Sequence, residues 1–304
     1  MSDVTTSQPE RLPHRGIRKG LYVIPTMFTA ANIGMGFLAV VYSMRGYQVS
    51  ASNIDQASVY FNYAAIAIGL AILFDTLDGR VARMTRTATE IGVQFDSLAD
   101  VLTFGIAPVA LMYSWAIAPV FSEASTEYRL GVFLLFMYLM CGTFRLARFN
   151  IQSTRPRVLI EGTPKLDKKN FVGLPIPPAA GLLASIVHFA PSPLSAYSAE
   201  WPRFYTVMIM TLIAVLGLLM VSTLKYTSFK NVGTGKRSFY LILVIASVGM
   251  SVYLYSRYAL LILATLYVGH GIIWFVISAA RPRPQPFSAP ETNESTDAAA
   301  NTNL

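Results

Sequence analysis

The fold is decided by residues 74–108, FDTLDGRVARMTRTATEIGVQFDSLADVLTFGIAP, which join the end of one apolar block to the start of the next. The flanking blocks, 57–77 and 92–117, are each close to the ~20 residues that a membrane-spanning helix needs. Asp75 and Asp78 are three residues apart and Asp96 and Asp100 are four apart, so on helices each pair shares a face. The segment therefore predicts two spanning helices that present carboxylates at the same end.

The same alternation of apolar blocks and short polar segments runs through most of the chain. Of the 304 residues, 54% are hydrophobic and only 13% are charged, against about 25% charged in an average soluble domain. We predict an all-α fold, a polytopic transmembrane helical bundle of about eight spans. The predicted spans are 21–43, 57–77, 92–117, 128–147, 174–190, 204–223, 238–255 and 258–280.

Basic residues decide the predicted orientation. With the N-terminus in the cytoplasm, twenty of the twenty-four Lys and Arg residues fall on the cytoplasmic side, and four fall outside, namely Arg45, Arg129, Arg203 and Arg257. Because such a bias sets the orientation of membrane proteins, we predict that both termini are cytoplasmic. The net charge of +8 then indicates contact with anionic membrane lipids, and no nucleic acid is expected as a partner.

The four aspartates need a counter-charge. Carboxylates at the edge of the hydrocarbon region repel one another and are costly unless they are protonated or neutralised. Hard divalent cations bind oxygen ligands, and two of them would offset four negative charges. A pair of metal ions can stabilise the attacking and leaving oxygens of a phosphoryl transfer. The alternative is that the aspartates cap helices or pair with nearby arginines, which are Arg80, Arg83 and Arg86.

The spacing of these residues carries a family resemblance. The segment fits D-x2-D-G-x2-A-R-x8-G-x3-D-x3-D at all eight fixed positions, which are Asp75, Asp78, Gly79, Ala82, Arg83, Gly92, Asp96 and Asp100. This pattern resembles the signature of the CDP-alcohol phosphatidyltransferases. The resemblance implies that Asp75, Asp78 and Asp96 are metal ligands, and that Asp100 completes a second metal site and acts as the general base. It also implies two divalent ions, Mg²⁺ or Mn²⁺, and a homodimer.

The nucleotide side of the site follows from the same resemblance. The residues that would bind the CDP moiety are Gly79, Ala82, Arg83 and Gly92. In the first span, Pro25, Thr29 and Asn32 resemble the family's polar positions near the nucleotide. Thr29 and Asn32 share a helix face, and their alternative role is hydrogen bonding between helices within the membrane.

Three further stretches bear on the acceptor alcohol. They are RLARFN at 145–150, FVGLPIPPAA at 171–180 and KYTSFK at 225–230, and they resemble the integral-membrane phosphatidylserine synthases of the family. The implied reaction transfers the phosphatidyl group of CDP-diacylglycerol to L-serine and releases CMP. Arg145 and Arg148 share a face, so one would bind the serine carboxylate and the other a lipid phosphate. The alternative is that both arginines snorkel to the interface.

The resemblance also suggests a division of the chain. Residues 1–20 are a basic segment expected along the inner leaflet, and 21–223 are the catalytic core. Residues 224–281 are a loop and a C-terminal helical hairpin, and 282–304, rich in Pro, Asn and Ser, are a disordered tail. We expect a multi-pass protein of the bacterial inner membrane with its active site on the cytoplasmic side.

Two rival functions stay open at this stage. The same chemistry could use choline, glycerol phosphate or an inositol phosphate, although choline needs no arginine and phosphorylated acceptors need a denser basic pocket. A cation-coupled transporter also carries intramembrane carboxylates. Transporters place them near the bilayer midplane, often in repeated halves, whereas these aspartates cluster at one end of two helices.

Overall fold

The computed structural model describes residues 15–85, 90–154, 170–197, 201–222, 225–227, 250, 252 and 254–280. The helices are α1 (Arg15–Ser50), α2 (Ile54–Thr85), α3 (Glu90–Asp100), α4 (Ala107–Met112), α5 (Thr126–Thr154), α6 (Ile176–Phe189), α7 (Trp201–Val221) and α8 (Ser256–Ala280). Two π-helical segments, Val101–Ile106 and Tyr113–Ile117, continue the helical path from α3 through α4, and a 3₁₀ turn covers Leu194–Ala196. The strands are β1 (Asn170–Val172) and β2 (Lys225–Thr227).

Six helical segments are long and apolar enough to cross a membrane, namely Met27–Ser50, Ile54–Val81, Ile91–Ile117, Thr126–Ile151, Ile176–Ala196 and Trp201–Val221. They correspond to the first six predicted spans. The eighth predicted span corresponds to α8, whereas the seventh, 238–255, lies mostly outside the described residues. The total of eight spans and the cytoplasmic termini stay predictions. Most of the basic N-terminal segment and all of the tail at 282–304 also lie outside the described residues.

One short pair of strands departs from the all-α prediction. β1 pairs antiparallel with β2, with Asn170 opposite Thr227 and Val172 opposite Lys225. Gly173 follows β1 with a φ of +84°, a conformation that costs any other residue energy. A Cβ atom at this position would collide with the carbonyl oxygen of Met220. We call β1, β2 and Gly173 the strand clip; three-residue strands are too short to show the alternation by which strands are predicted.

The helix α5 packs antiparallel to the Ile91–Ile117 path. The hydroxyl of Tyr138 donates to the carbonyl oxygen of Phe104 at 3.2 Å. Further along, the side-chain amide of Asn150 donates to Ser97 Oγ at 2.8 Å. These two hydrogen bonds fix the register of α5 against α3 and the first π-helical segment.

The helix α1 approaches its neighbours closely at two glycines. A Cβ atom on Gly46 would lie 2.8 Å from the ring of Phe61 in α2, and one on Gly36 would lie 2.5 Å from Thr103 Oγ1. Because only glycine permits approaches of this kind, they hold α1 against both α2 and the first π-helical segment. Side chains at most 2% exposed form the core between these helices, including Phe61, Ile68, Phe104, Leu111, Trp115, Ile176 and Leu183.

The outer surface of the bundle is apolar. Large hydrophobic side chains are more than half exposed on several helices, including Phe37, Phe133, Phe136, Phe204 and Leu218. In water such a surface would be unusually large for a monomer. Acyl chains are its natural environment, since lipid tails solvate apolar side chains.

Candidate active site

Three aspartates converge between the last third of α2 and the second half of α3. We call this region the acidic end of the bundle. Asp75 lies on α2, while Asp96 and Asp100 lie on α3. Each offers one carboxylate oxygen, and these three atoms all lie within 4.8 Å of one another. The three residues are only partly exposed, so water screens their mutual repulsion incompletely.

Asp78 lies beside this group but has a different partner. Its side chain is 6% exposed, and its carboxylate accepts a hydrogen bond from the hydroxyl of Thr29 in α1. It interacts electrostatically with Asp75 and Asp96. Thr29 thus makes the hydrogen bond between helices that was its alternative role, and its contact with CDP stays a prediction.

Asn32 presents an unpaired amide close to the acidic end. Its side chain is fully buried, and neither Oδ1 nor Nδ2 has a hydrogen-bond partner among the described residues. Its backbone oxygen accepts a hydrogen bond from Thr103 Oγ1 at 3.3 Å. An unsatisfied buried polar group costs about 1–3 kcal/mol, so the amide is suited to a polar ligand. Its contact with CDP stays a prediction.

Asp100 ends α3 and directly precedes the first π-helical segment. A π-helical turn is wider than an α-helical turn, and such turns are frequent at functional sites. Sequence analysis missed this feature, because the spacing of Asp96 and Asp100 is equally compatible with an uninterrupted α-helix.

The two glycines of the motif lie on the surface at the acidic end. Gly79 on α2 and Gly92 on α3 are both exposed, so a ligand can approach their backbone. Ala82 and Arg83 also lie on α2, but their side chains are outside the described part of the structure. The proposed pairing of aspartates with Arg86 falls outside it as well. The CDP-binding roles of these residues stay predictions.

Arg145, on α5, lies near the cluster formed by Asp75, Asp96 and Asp100. It interacts electrostatically with Asp100, as the register of α5 against α3 requires. Its Nε atom is buried and has no hydrogen-bond partner among the residues that are described. A snorkelling arginine would extend its head group into water, so this buried Nε favours a role in the site. Arg148, also partly buried, lies one turn further along α5.

The cluster of Asp75, Asp96 and Asp100 suits a divalent metal ion. Its donors are all oxygen atoms, which Mg²⁺ and similar hard cations prefer. Asp100 Oδ1 is buried and lacks a hydrogen-bond partner within the described ranges. A cation between the three carboxylates would satisfy this oxygen and remove their repulsion. The Asp75–Asp96–Asp100 group can therefore hold a divalent metal ion.

Fold and site together define a multi-pass membrane protein with an oxygen-rich, metal-competent centre at one end of its helices. The family model described as CDP-alcohol phosphatidyltransferase matches residues 22–219, which is more than half of the chain. The chain belongs to the CDP-alcohol phosphatidyltransferase family. The resemblance inferred from the eight-residue motif is thus confirmed.

Individual relatives extend the similarity beyond the motif. The CDP-diacylglycerol–serine O-phosphatidyltransferase of Helicobacter pylori (strain ATCC 700392 / 26695) is 32% identical over 259 residues, covering 83% of this chain and 91% of the relative. A protein of the same name from Methanocaldococcus jannaschii is 31% identical over 210 residues, which cover 69% of this chain and 82% of the relative. The archaetidylserine synthase of Methanothermobacter thermautotrophicus is 33% identical over 196 residues, which cover 59% of this chain and 70% of the relative.

Proposed function

We propose that this chain transfers the phosphatidyl group of CDP-diacylglycerol to L-serine, giving phosphatidylserine and CMP. The observation that carries the proposal is the electrostatic interaction of Arg145 with Asp100, one of the three aspartates of the Asp75–Asp96–Asp100 group. Metal ions held by the carboxylates would neutralise the charge of a diphosphate donor. The guanidinium of Arg145 beside them would offset the negative charge of an anionic acceptor.

Serine is the acceptor that best explains this arginine. A serine carboxylate near three aspartates would be repelled unless a cation lay beside it, and a guanidinium can bind a carboxylate through two hydrogen bonds. Two of the three relatives above carry the same name and the third name differs in the lipid, but serine occurs in all three. Choline would gain nothing from Arg145, because it carries no carboxylate.

Asp75, Asp96 and Asp100 would hold the metal, Mg²⁺ or Mn²⁺, and Asp78 would contribute to a second ion. When bound, the ions would neutralise the diphosphate and stabilise the departing CMP. The diphosphate and nucleotide would lie along exposed Gly79 and Gly92, with Ala82 and Arg83 following on α2. The unpaired side-chain amide of Asn32 would provide a further polar contact to the nucleotide part of the donor.

Asp100 is the proposed general base. Its carboxylate would take the proton of the serine hydroxyl, whose oxygen attacks the lipid-side phosphorus. The bond from that phosphorus to the CMP oxygen breaks, and CMP leaves with the electron pair. Ser97 is the serine nearest to these carboxylates along the chain, but its hydroxyl donates to the carbonyl oxygen of Val93 and accepts from Asn150. We therefore expect direct transfer without a covalent enzyme intermediate.

The proposed location follows from the substrates and from the charge bias. CDP-diacylglycerol keeps its acyl chains in the bilayer, while serine and CMP are soluble. A site at the acidic end reaches both, and the basic residues predict that this end faces the cytoplasm of a bacterial cell. A homodimer remains an expectation from the family resemblance.

Reconstitution tests the proposal directly. The purified chain in liposomes containing CDP-diacylglycerol should convert labelled L-serine to phosphatidylserine and release an equal amount of CMP. Chelation with EDTA should abolish both products, and added Mg²⁺ or Mn²⁺ should restore them. Choline, glycerol phosphate and inositol phosphate should yield no more than a few per cent of the serine rate. If transfer to one of these alcohols is faster than transfer to serine, that alcohol is the acceptor. Ion flux without release of CMP would indicate a transporter.

A further inference from the structure

The helix α8 lies beyond residues 22–219, the part of the chain that the family model matches. It packs along α6, and its first turn is bound to the end of that helix. His188 Nε2 and Ser256 Oγ form a hydrogen bond of 3.0 Å, and the rings of Phe189 and Tyr258 meet edge to face at 5.5 Å. The other ring nitrogen of His188 bonds Asn62 Oδ1 at 2.7 Å. This polar chain ties the start of α8 to both α6 and α2.

From this contact α8 runs back along α6 toward the strand clip. Tyr267 is eleven residues after Ser256, which is about 16 Å along a helix. Ile176 is twelve residues before His188 on α6, or about 18 Å in the same direction. Contacts between α8 and β2 confirm that α8 extends to the clip. Tyr267 therefore lies at the level of Ile176.

Arg145 reaches the same level by a separate route. A Cβ atom on Gly142 in α5 would lie 2.5 Å from Ile176 Cδ1, and Arg145 is one helical turn further on. Tyr267 is partly buried and packs against the core, with its neighbour Val268 only 5% exposed. Tyr267 and Arg145 interact electrostatically. Arg145 and Tyr267 thus lie at the same level of the bundle and are near enough to interact electrostatically.

We propose that Tyr267 orients Arg145 toward the carboxylate of an amino-acid acceptor, so that α8 completes the acceptor side of the site. A guanidinium binds a carboxylate through a planar fork, which is effective only when its plane is fixed. A phenol oxygen beside the guanidinium can accept one of its N–H groups and fix that plane. Tyr267 is thus a positioning residue, and this inference rests on the proposed function.

Kinetics of Tyr267→Phe test the inference, with Tyr258→Phe as the matched control on the same helix. The acceptors are L-serine and serinol, which has the same amine and hydroxyl but no carboxylate. Tyr267→Phe should raise the KM for serine about tenfold, as expected when a polar contact to a charged group is lost. The KM values for serinol and for CDP-diacylglycerol should change less than twofold. Tyr258→Phe should leave the KM values for serine, serinol and CDP-diacylglycerol within twofold of those of the wild type.

A second variant and a double variant guard against a purely structural effect. Tyr267→Met should show the same selective loss with serine, and in an Arg145→Ala background Tyr267→Phe should have no further effect on serine KM. An unchanged serine KM, an equal loss with both acceptors, or additive effects of the two substitutions would overturn the role of Tyr267. A wild-type chain that releases no CMP with serine would instead overturn the proposed function itself.

Discussion

The two sides of the site are assembled in different ways. The carboxylate side is built from residues 75–100, which lie on two helices joined by a short connection. The proposed acceptor side brings together Arg145 of α5, the strand clip and Tyr267 of α8, which are spread over more than a hundred residues of the chain. The first side depends on spacing within helices, and the second depends on how distant helices pack. Substitutions should therefore affect the two sides separately.

The largest effect should come from Asp100→Asn, which keeps the shape of the side chain and removes its charge. Transfer should fall at least about 10³-fold, because the general base is lost. CDP-diacylglycerol binding, measured on the purified protein in detergent, should persist. Asp55→Asn, an exposed carboxylate in the first turn of α2, is the control and should change the rate less than twofold. Parallel loss of lipid binding would count against Asp100 as the base.

An intermediate effect is expected for Thr29→Val, which removes the donor to Asp78 without changing side-chain size. Because the Asp78 carboxylate is 6% exposed, loss of its partner should cost about 2 kcal/mol and lower kcat about 30-fold. Thr29→Ser keeps the hydroxyl and should restore most of the rate. Thr211→Val is the control, since this exposed threonine bonds only its own helix through the carbonyl oxygen of Val207. Equal rates for the valine and serine variants at position 29 would show that this hydrogen bond is dispensable.

The smallest effect should follow Gly173→Ala, which acts on the acceptor side alone. A side chain at a φ of +84° costs about 1–2 kcal/mol and would collide with Met220, so the clip should loosen. The KM for serine should rise about tenfold, with little change in the KM for CDP-diacylglycerol. Gly69→Ala, where an added Cβ meets nothing within 4 Å, should leave both constants unchanged. A matching rise in both KM values would contradict the separation of the two sides.

Much of the carboxylate side could be predicted from the sequence. Asp75, Asp96 and Asp100 meet because helical spacing sets their faces and a short connection sets their ends. The partner of Asp78 could not be predicted, since it depends on the register of α1 against α2. The same holds for the π-helical turn after Asp100, which leaves no mark in the spacing of the preceding residues.

The spans were predicted better than their ends. Six apolar blocks correspond to candidate spans, yet α1 has 36 residues and α2 has 32, both longer than predicted. The last turns of α1 contain polar residues, and the hydroxyls of Ser43 and Ser50 donate to backbone oxygens of their own helix, so these residues do not end it. The strand clip and the electrostatic interaction of Tyr267 with Arg145 connect segments far apart in the chain, and periodicity within one segment carries no information about them.

Chain order also sets an order of assembly during biosynthesis. Chains are made from the N-terminus, and early segments can fold first. The three converging carboxylates are all present once residue 100 has been inserted, whereas β1 has no partner until residue 227 is made and Arg145 meets Tyr267 only when α8 arrives. A nascent chain should therefore gain affinity for cations well before it can discriminate among alcohols. Selectivity for the acceptor alcohol is expected to form last.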